Sequence, residues 1–167
     1  TFAWSNGTNT ANNTISTPNT YTVTATNPAN GCTASDAVVV TQDITPPAVN
    51  AGIDTVLNCV RTSLVLQATS TTTGATFAWS NGTNTANNTI STPNTYTVTA
   101  TNPTNGCTAS DAVVVTQDIT PPTVNAGIDT VLNCVRTSLV LQATSTTTGA
   151  TFAWSNGTNT ANNTIST

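Results

Sequence analysis

Apolar and polar residues alternate along the chain with a period of two, and this pattern predicts β-strands. Residues 96–101 alternate apolar residues with threonine without a break, which is typical of a strand with one buried face. Leu64, Leu66 and Ala68 share one face of residues 63–70, and Phe77 and Trp79 share one face of residues 76–80. Residues 112–115 form a short β-branched run. No segment shows the 3.6-residue period of a helix, so the pattern predicts an all-β chain.

Turn-forming residues punctuate the predicted strands about every 8–12 residues, as glycine, proline and asparagine do in small β-sandwiches. The pairs are Thr73-Gly74, Asn81-Gly82, Pro93-Asn94, Asn105-Gly106 and Ala126-Gly127. Six or seven short strands in one stretch predict a small antiparallel sandwich of the immunoglobulin-like kind. The alternation assigns its core to Leu64, Leu66, Phe77, Trp79 and Tyr96.

The sequence repeats itself with a period of 75 residues, so 167 residues hold about 2.2 copies of one unit. Residues 1–75 and 76–150 differ only at Ala29, which corresponds to Thr104, and at Ala48, which corresponds to Thr123. Residues 151–167 repeat residues 76–92 without a change. The chain is therefore predicted to be a tandem array of one domain.

Two proline pairs mark the predicted joints between domains, at residues 43–47 (Asp-Ile-Thr-Pro-Pro) and 118–122. Consecutive prolines fix φ and remove backbone donors, which suits a short, stiff linker. These joints divide the chain into the last part of one repeat (1–45), a complete repeat (46–120) and the first part of the next (121–167). We therefore expect the chain to be an internal stretch of a longer protein.

Composition excludes several functional classes. The chain lacks Lys, Glu, His and Met, its six acids are all Asp, its two bases are Arg61 and Arg136, and its net charge is −4. Without His, Lys or Glu the usual general bases and nucleophile partners are missing, so we predict that the protein is not an enzyme. Because the chain has no basic patch, we predict that it does not bind nucleic acid. Because it has no long apolar run, we predict that it has no membrane span.

Four cysteines, two per period, predict disulfides in an oxidising, extracytoplasmic location. With the boundaries above, the complete repeat owns Cys59 and Cys107, and we favour a bridge between them. Cys32 and Cys134 would then pair with repeats outside residues 1–167. The alternative pairs Cys32 with Cys59 and Cys107 with Cys134 across the joints, and leaves no cysteine of the chain unpaired.

The repeat resembles the tandem immunoglobulin-like (PKD-like) repeats of giant surface proteins of Bacteroidota. The matching segments are Asn50-Ala51-Gly52-Ile53-Asp54, Leu57-Asn58-Cys59, Leu64-Val65-Leu66, Phe77-Ala78-Trp79-Ser80, Tyr96-Thr97-Val98-Thr99 and Asn105-Gly106-Cys107 through Asp111. The resemblance covers the whole chain. It implies adhesins or long appendage filaments exported by type IX secretion, with grappling-hook filaments as one candidate. It also implies O-glycosylation at Thr55 and Thr130, because each follows an Asp and precedes an apolar residue.

Asp43 and Asp54 flank one joint, and Asp118 and Asp129 flank the other. Carboxylates from two domains can share a Ca²⁺ ion and stiffen a rod. Asp residues also make turns, and with only two acids near each joint we favour the turn-making role, without a resident metal or cofactor. For Arg61, the only base of its repeat, we expect a bidentate contact with an Asp, and the alternative is a role in binding a sugar or a partner.

These observations predict a structural repeat in the shaft of a long extracellular filament or adhesin, used to attach to or capture other cells. The repeats would associate with other copies in a fibre, with strand exchange as one mode, and parts of the protein outside this chain would contact the target cell. An uncharged threonine row at residues 95, 97, 99 and 101 would favour lateral packing. The alternative is that the repeats themselves bind glycans or a cell surface.

Overall fold

The computed structural model describes residues 1–167 and contains eleven β-strands and no helix. The first part of the chain holds β1 (Phe2–Trp4), β2 (Asn19–Thr26) and β3 (Thr33–Val40). The middle holds β4 (Thr55–Asn58), β5 (Leu64–Gln67), β6 (Thr76–Trp79), β7 (Asn87–Ile90), β8 (Asn94–Thr101) and β9 (Thr108–Asp118). The last part holds β10 (Ser138–Gln142) and β11 (Asn162–Ser166). The all-β prediction is confirmed.

The six middle strands form two sheets, one in the order β4-β9-β8-β6 and one made of β5 and β7. Tyr96 opposes Val113 in the β8–β9 ladder, and Leu64 opposes Ile90 in the smaller sheet. All pairs are antiparallel except β4 with β9, where Thr55 aligns with Val115 and Asn58 with Asp118 in the same direction. The expectation of a purely antiparallel sandwich is therefore wrong at this edge, where β4 and β9, the last strand of the middle unit, run in the same direction.

One hydrophobic core lies between the two middle sheets, and its members all fall between Ala51 and Val115. The alternating residues of β8 and β9 face the alternating leucines of β5, as period-two patterning requires. Leu57, Val98 and Val113 are fully buried. Leu64, Leu66, Trp79 and Tyr96 are buried with them, and Phe77 packs against the cluster from its edge.

Polar atoms that enter this core find partners. The Trp79 indole N–H donates to the Thr85 carbonyl at 3.0 Å, and the Tyr96 hydroxyl donates to the Thr92 carbonyl at 2.9 Å. Asn88, which is 1% exposed, exchanges amide hydrogen bonds with Asn81 at 2.9 and 3.2 Å. No buried side-chain nitrogen or oxygen lacks a partner, so the core gains specificity without an unsatisfied polar group.

The flanking segments repeat the sequence of the middle unit but form less of its structure. Residues 1–45 make a single three-stranded sheet, β1-β2-β3, and residues 121–167 make the β10–β11 pair. Val38 is 51% exposed, whereas its counterpart Val113 is completely buried. Identical residues therefore differ in burial because only the middle copy has both sheets on either side of its core.

Candidate functional site: the joints between repeats

Each joint begins with an aspartate that caps its own turn. An oxygen of the Asp43 carboxylate accepts a hydrogen bond from the Thr45 N–H at 3.0 Å, and Asp118 does the same with Thr120 at 3.0 Å. The N–H and hydroxyl of Thr45 and the Asn105 amide hold the pKa of Asp43 below its ordinary value. The N–H and hydroxyl of Thr120 lower the pKa of Asp118 in the same way.

The middle unit folds its loops over the joint through which the chain enters it. The Asn105 side-chain amide donates to the Thr45 carbonyl at 3.0 Å, and Ser70 donates to the Ala48 carbonyl. Pro47 is buried under these loops, whereas Pro122 of the second joint is exposed. We call the end of the unit where these loops meet the linker its lower end, and the end where Asn58 pairs with Asp118 its upper end.

The four aspartates considered for calcium do not come together. Asp54 accepts a hydrogen bond from the Val114 N–H at 2.8 Å, part-way along β9, whereas Asp43 lies at the lower end. Nowhere in residues 1–167 do three or more acidic or cysteine side chains group in a way that could hold a metal ion. Asp43, Asp54 and Asp118 each bind backbone N–H groups, as turn-making and strand-bracing carboxylates do.

Arg61 contacts a hydroxyl, and the predicted contact with an Asp is wrong. Its guanidinium donates to the Thr55 hydroxyl at 3.3 Å, and Arg136 donates to the Thr130 hydroxyl at 3.2 Å. Thr55 lies half-buried in β4, and Thr130 is exposed outside any strand. O-glycosylation of these two threonines stays a prediction.

None of the four cysteines is bonded to another. Cys59 directly follows Asn58, the partner of Asp118 at the upper end, whereas Cys107 directly precedes the first residue of β9 at the lower end. The eleven residues of β9 therefore separate them, a distance of more than about 30 Å at ~3.3 Å per residue. A disulfide needs Cα atoms within about 7 Å. The predicted bridge between Cys59 and Cys107 is thus incompatible with this strand register.

A shallow groove beside Arg61 recurs in the last segment with a full set of equivalent residues. Its walls include the exposed Ile53, Arg61 and Val65, and its volume is roughly 460 Å³. The corresponding groove in the last segment contains Ile128, Arg136 and Val140. Sequence analysis singled out Arg61 but not the groove, because the loop after Gly52 and strand β5 meet only in the folded unit.

No protein-family model matches the sequence, and no curated protein matches it. None of the chain forms a helix of the length and apolar character that crossing a bilayer requires.

Proposed function

We propose that the 75-residue repeat is a structural unit in the shaft of a long extracellular filament or adhesin. One observation carries this proposal: the chain enters the complete unit at its lower end, beside Asn105, and leaves it at its upper end, after Asp118. Units whose entry and exit lie at opposite ends continue as a rod when they are repeated. Near-identical joints then add the same rotation each time, which favours a uniform shaft.

Three features support assigning the unit to the immunoglobulin-like sandwiches. The strands divide between two facing sheets, a tryptophan on a strand of the larger sheet is buried in the core, and a tyrosine at the start of a late strand bonds back to the upstream backbone. These are features of that architecture. The resemblance to surface repeats of Bacteroidota supports export by type IX secretion and a place on the cell surface.

The outer face of the four-stranded sheet supports lateral association of shafts in a fibre. It is built from small uncharged side chains, including the exposed Val56 and Val114. Thr99 and Ser110 share a hydrogen bond of 2.9 Å on this face. Apart from Asp118 at the end of β9, the strand alternation places no charged side chain on this face, so few like charges hold two such faces apart. Strand exchange between repeats stays a prediction, and the complete unit does not require it because its core is closed.

The length of the particle tests the shaft. The chain and a version continued by one further 75-residue period would be compared by small-angle scattering and by electron microscopy. Each added unit should lengthen the particle by very roughly 35–40 Å without changing its cross-section, because an eight-residue strand spans ~27 Å and loops add the remainder. An added period that thickens the particle instead of lengthening it would contradict the proposal.

The groove beside Arg61 supports a second function, in which each repeat binds a glycan or another surface group. Its volume of roughly 460 Å³ falls in the range of small-ligand sites, and its arginine offers donors to hydroxyl or carboxylate oxygens. The chain would be applied to cells and immobilised glycans beside the R61Q/R136Q variant. Binding by the parent chain that the variant loses favours this function, and equal lack of binding favours the passive shaft.

A further inference from the structure

We infer that successive repeats are joined by a disulfide across each joint, between the Cys59 position of one repeat and the Cys107 position of the next. This inference rests on the proposed end-to-end shaft. The two cysteines of one repeat lie at opposite ends of β9 and cannot bond to each other. In an array, the upper end of one repeat meets the lower end of the next, and the proposed bridge joins the cysteines at these two ends.

The upper end places the first thiol. Asn58 pairs with Asp118, so Cys59 lies beside the first residues of the outgoing linker. Asp43 occupies the same position as Asp118 one period earlier. A complete repeat ahead of residues 43–47 therefore places its own Cys59 equivalent beside Asp43 and the two residues that follow it.

The lower end places the second thiol against the same linker. Asn105 hydrogen-bonds to the Thr45 carbonyl at 3.0 Å and also reaches the Asp43 carboxylate. Its side-chain oxygen accepts a hydrogen bond from the Cys107 N–H at 2.9 Å, and the Cys107 carbonyl accepts one from the Asn102 N–H at 2.8 Å. Cys107 is thus fixed in a loop that touches residues 43–45. The two cysteine positions therefore lie next to the same short linker.

This pairing leaves no pair complete within the chain. The partner of Cys59 lies one period beyond Cys107, and the partner of Cys107 lies one period before Cys59, so neither pair is complete within residues 1–167. The same shift applies to Cys32 and Cys134. Bond formation removes two protons and two electrons from the two thiols, and a small-molecule disulfide such as oxidised glutathione takes them up and becomes two thiols.

The cross-joint pattern limits how far a pulled shaft can extend. One covalent path along the shaft uses every second bridge. Between two of these bridges it follows the backbone for 27 residues, the separation of Cys32 and Cys59, and each bridge then bypasses the backbone up to the next such segment. At ~3.4 Å per residue this path spans about 90 Å for two repeats, against about 500 Å for the same two repeats without bridges. The length proposed for two folded units is close to the bridged limit, so the bridges would hold a shaft under tension near its native length.

The first test uses the 167-residue chain, dilute and oxidised with glutathione disulfide, and we expect no disulfide within a single chain. The second uses the chain continued by one 75-residue period, treated in the same way and digested with trypsin without reductant. Cleavage after Arg61, Arg136 and the next arginine gives peptides with distinct cysteines. The cross-joint bridge links the first peptide to the third. A bridge within a repeat links neighbouring peptides, and a Cys107–Cys134 bridge stays inside the second; either result would overturn the inference.

Matched variants separate the bridge from the shaft. Cys59→Ser should abolish the link between the first and third peptides, and Cys107→Ser should leave it intact; loss of the link in Cys107→Ser would overturn the inference. The length added per period is measured on the same samples with and without reductant. A chain that keeps its length increment but forms no first-to-third link removes the bridge and leaves the shaft standing, whereas loss of the increment under both conditions removes the shaft itself.

Discussion

At the residue scale, hydrogen bonds between asparagine side chains allow this asparagine-rich chain to bury polar groups in its fold. Asn88 is buried, yet its amide oxygen accepts hydrogen bonds from Asn81 at 2.9 Å and from the Thr83 hydroxyl at 3.0 Å. The equivalent trio recurs in both flanking segments. Asn81 belongs to an Asn-Gly-Thr triplet of the glycosylation type, but its amide nitrogen is engaged with Asn88, which supports a structural role for the triplet.

Asn88→Ala should destabilise the middle unit by about 1–3 kcal/mol, because it removes a buried side chain together with its hydrogen bonds to the Asn81 amide and the half-buried Thr83 hydroxyl. Urea unfolding would measure the change, monitored by the fluorescence of Trp79 in a chain whose Trp4 and Trp154 are replaced by Phe. The matched control is Asn87→Ala, one residue earlier in β7, where the side chain is exposed and a change within about 0.5 kcal/mol is expected. Equal effects at the two positions would show that the amide pair contributes nothing specific.

At the element scale, the edge strand β4 depends on two carboxylates that reach across the unit. Asp54 accepts from the Val114 N–H of β9, and Asp111 of β9 accepts from the Ala51 N–H just before β4, each at 2.8 Å. β4 has only four residues, so these two bonds are a large part of what holds it on β9. Each of these two hydrogen bonds has a charged acceptor and lies in uncharged surroundings, so it is stronger than a hydrogen bond between two neutral groups.

Asp54→Ala should loosen β4 and accelerate amide hydrogen exchange in Thr55–Asn58 and at Val114, with a loss of about 1.5–3 kcal/mol in unfolding free energy. The repeat supplies its own control. Asp129 occupies the same sequence position in the last segment, where no strand corresponding to β9 is present. Asp129→Ala should leave the melting of the middle unit unchanged, and an equal loss in both variants would contradict the role given to Asp54.

The same edge shows where sequence reasoning succeeds and where it stops. Alternation placed β5, β6 and β8 and assigned Trp79, Tyr96 and the leucines to a buried face, because side-chain period is a local property. It could not place β4 parallel to β9, since that pairing joins residues 60 apart through hydrogen bonds that no local pattern encodes. The predicted bridge between Cys59 and Cys107 was incorrect for the same reason. Without the β4–β9 register, the sequence does not show that these two cysteines lie at opposite ends of the unit.

At the scale of the whole molecule, the joints decide whether repeated units form a stiff rod or a flexible string. Each joint combines two prolines with a carboxylate cap, and at the first joint the Asn105 loop of the following unit closes over the linker. Neither contribution involves a large apolar surface. Joint stiffness therefore rests on fixed φ angles and hydrogen bonds, and the carboxylate part of it depends on pH.

Acid should loosen the joints. The pKa values of Asp43 and Asp118 are lowered in the folded chain, so their caps stabilise fully above the ordinary Asp pKa of about 3.9 and are lost as pH falls through the lower folded values. Scattering from the chain should show constant stiffness from pH 8 to 5 and greater flexibility only once the pH has fallen below the ordinary Asp pKa of about 3.9. In the D43N/D118N variant the amide oxygen still accepts from the turn N–H and does not titrate, so its joints should stay stiff over this range. If parent and variant soften at the same pH, the carboxylate caps do not control the joint.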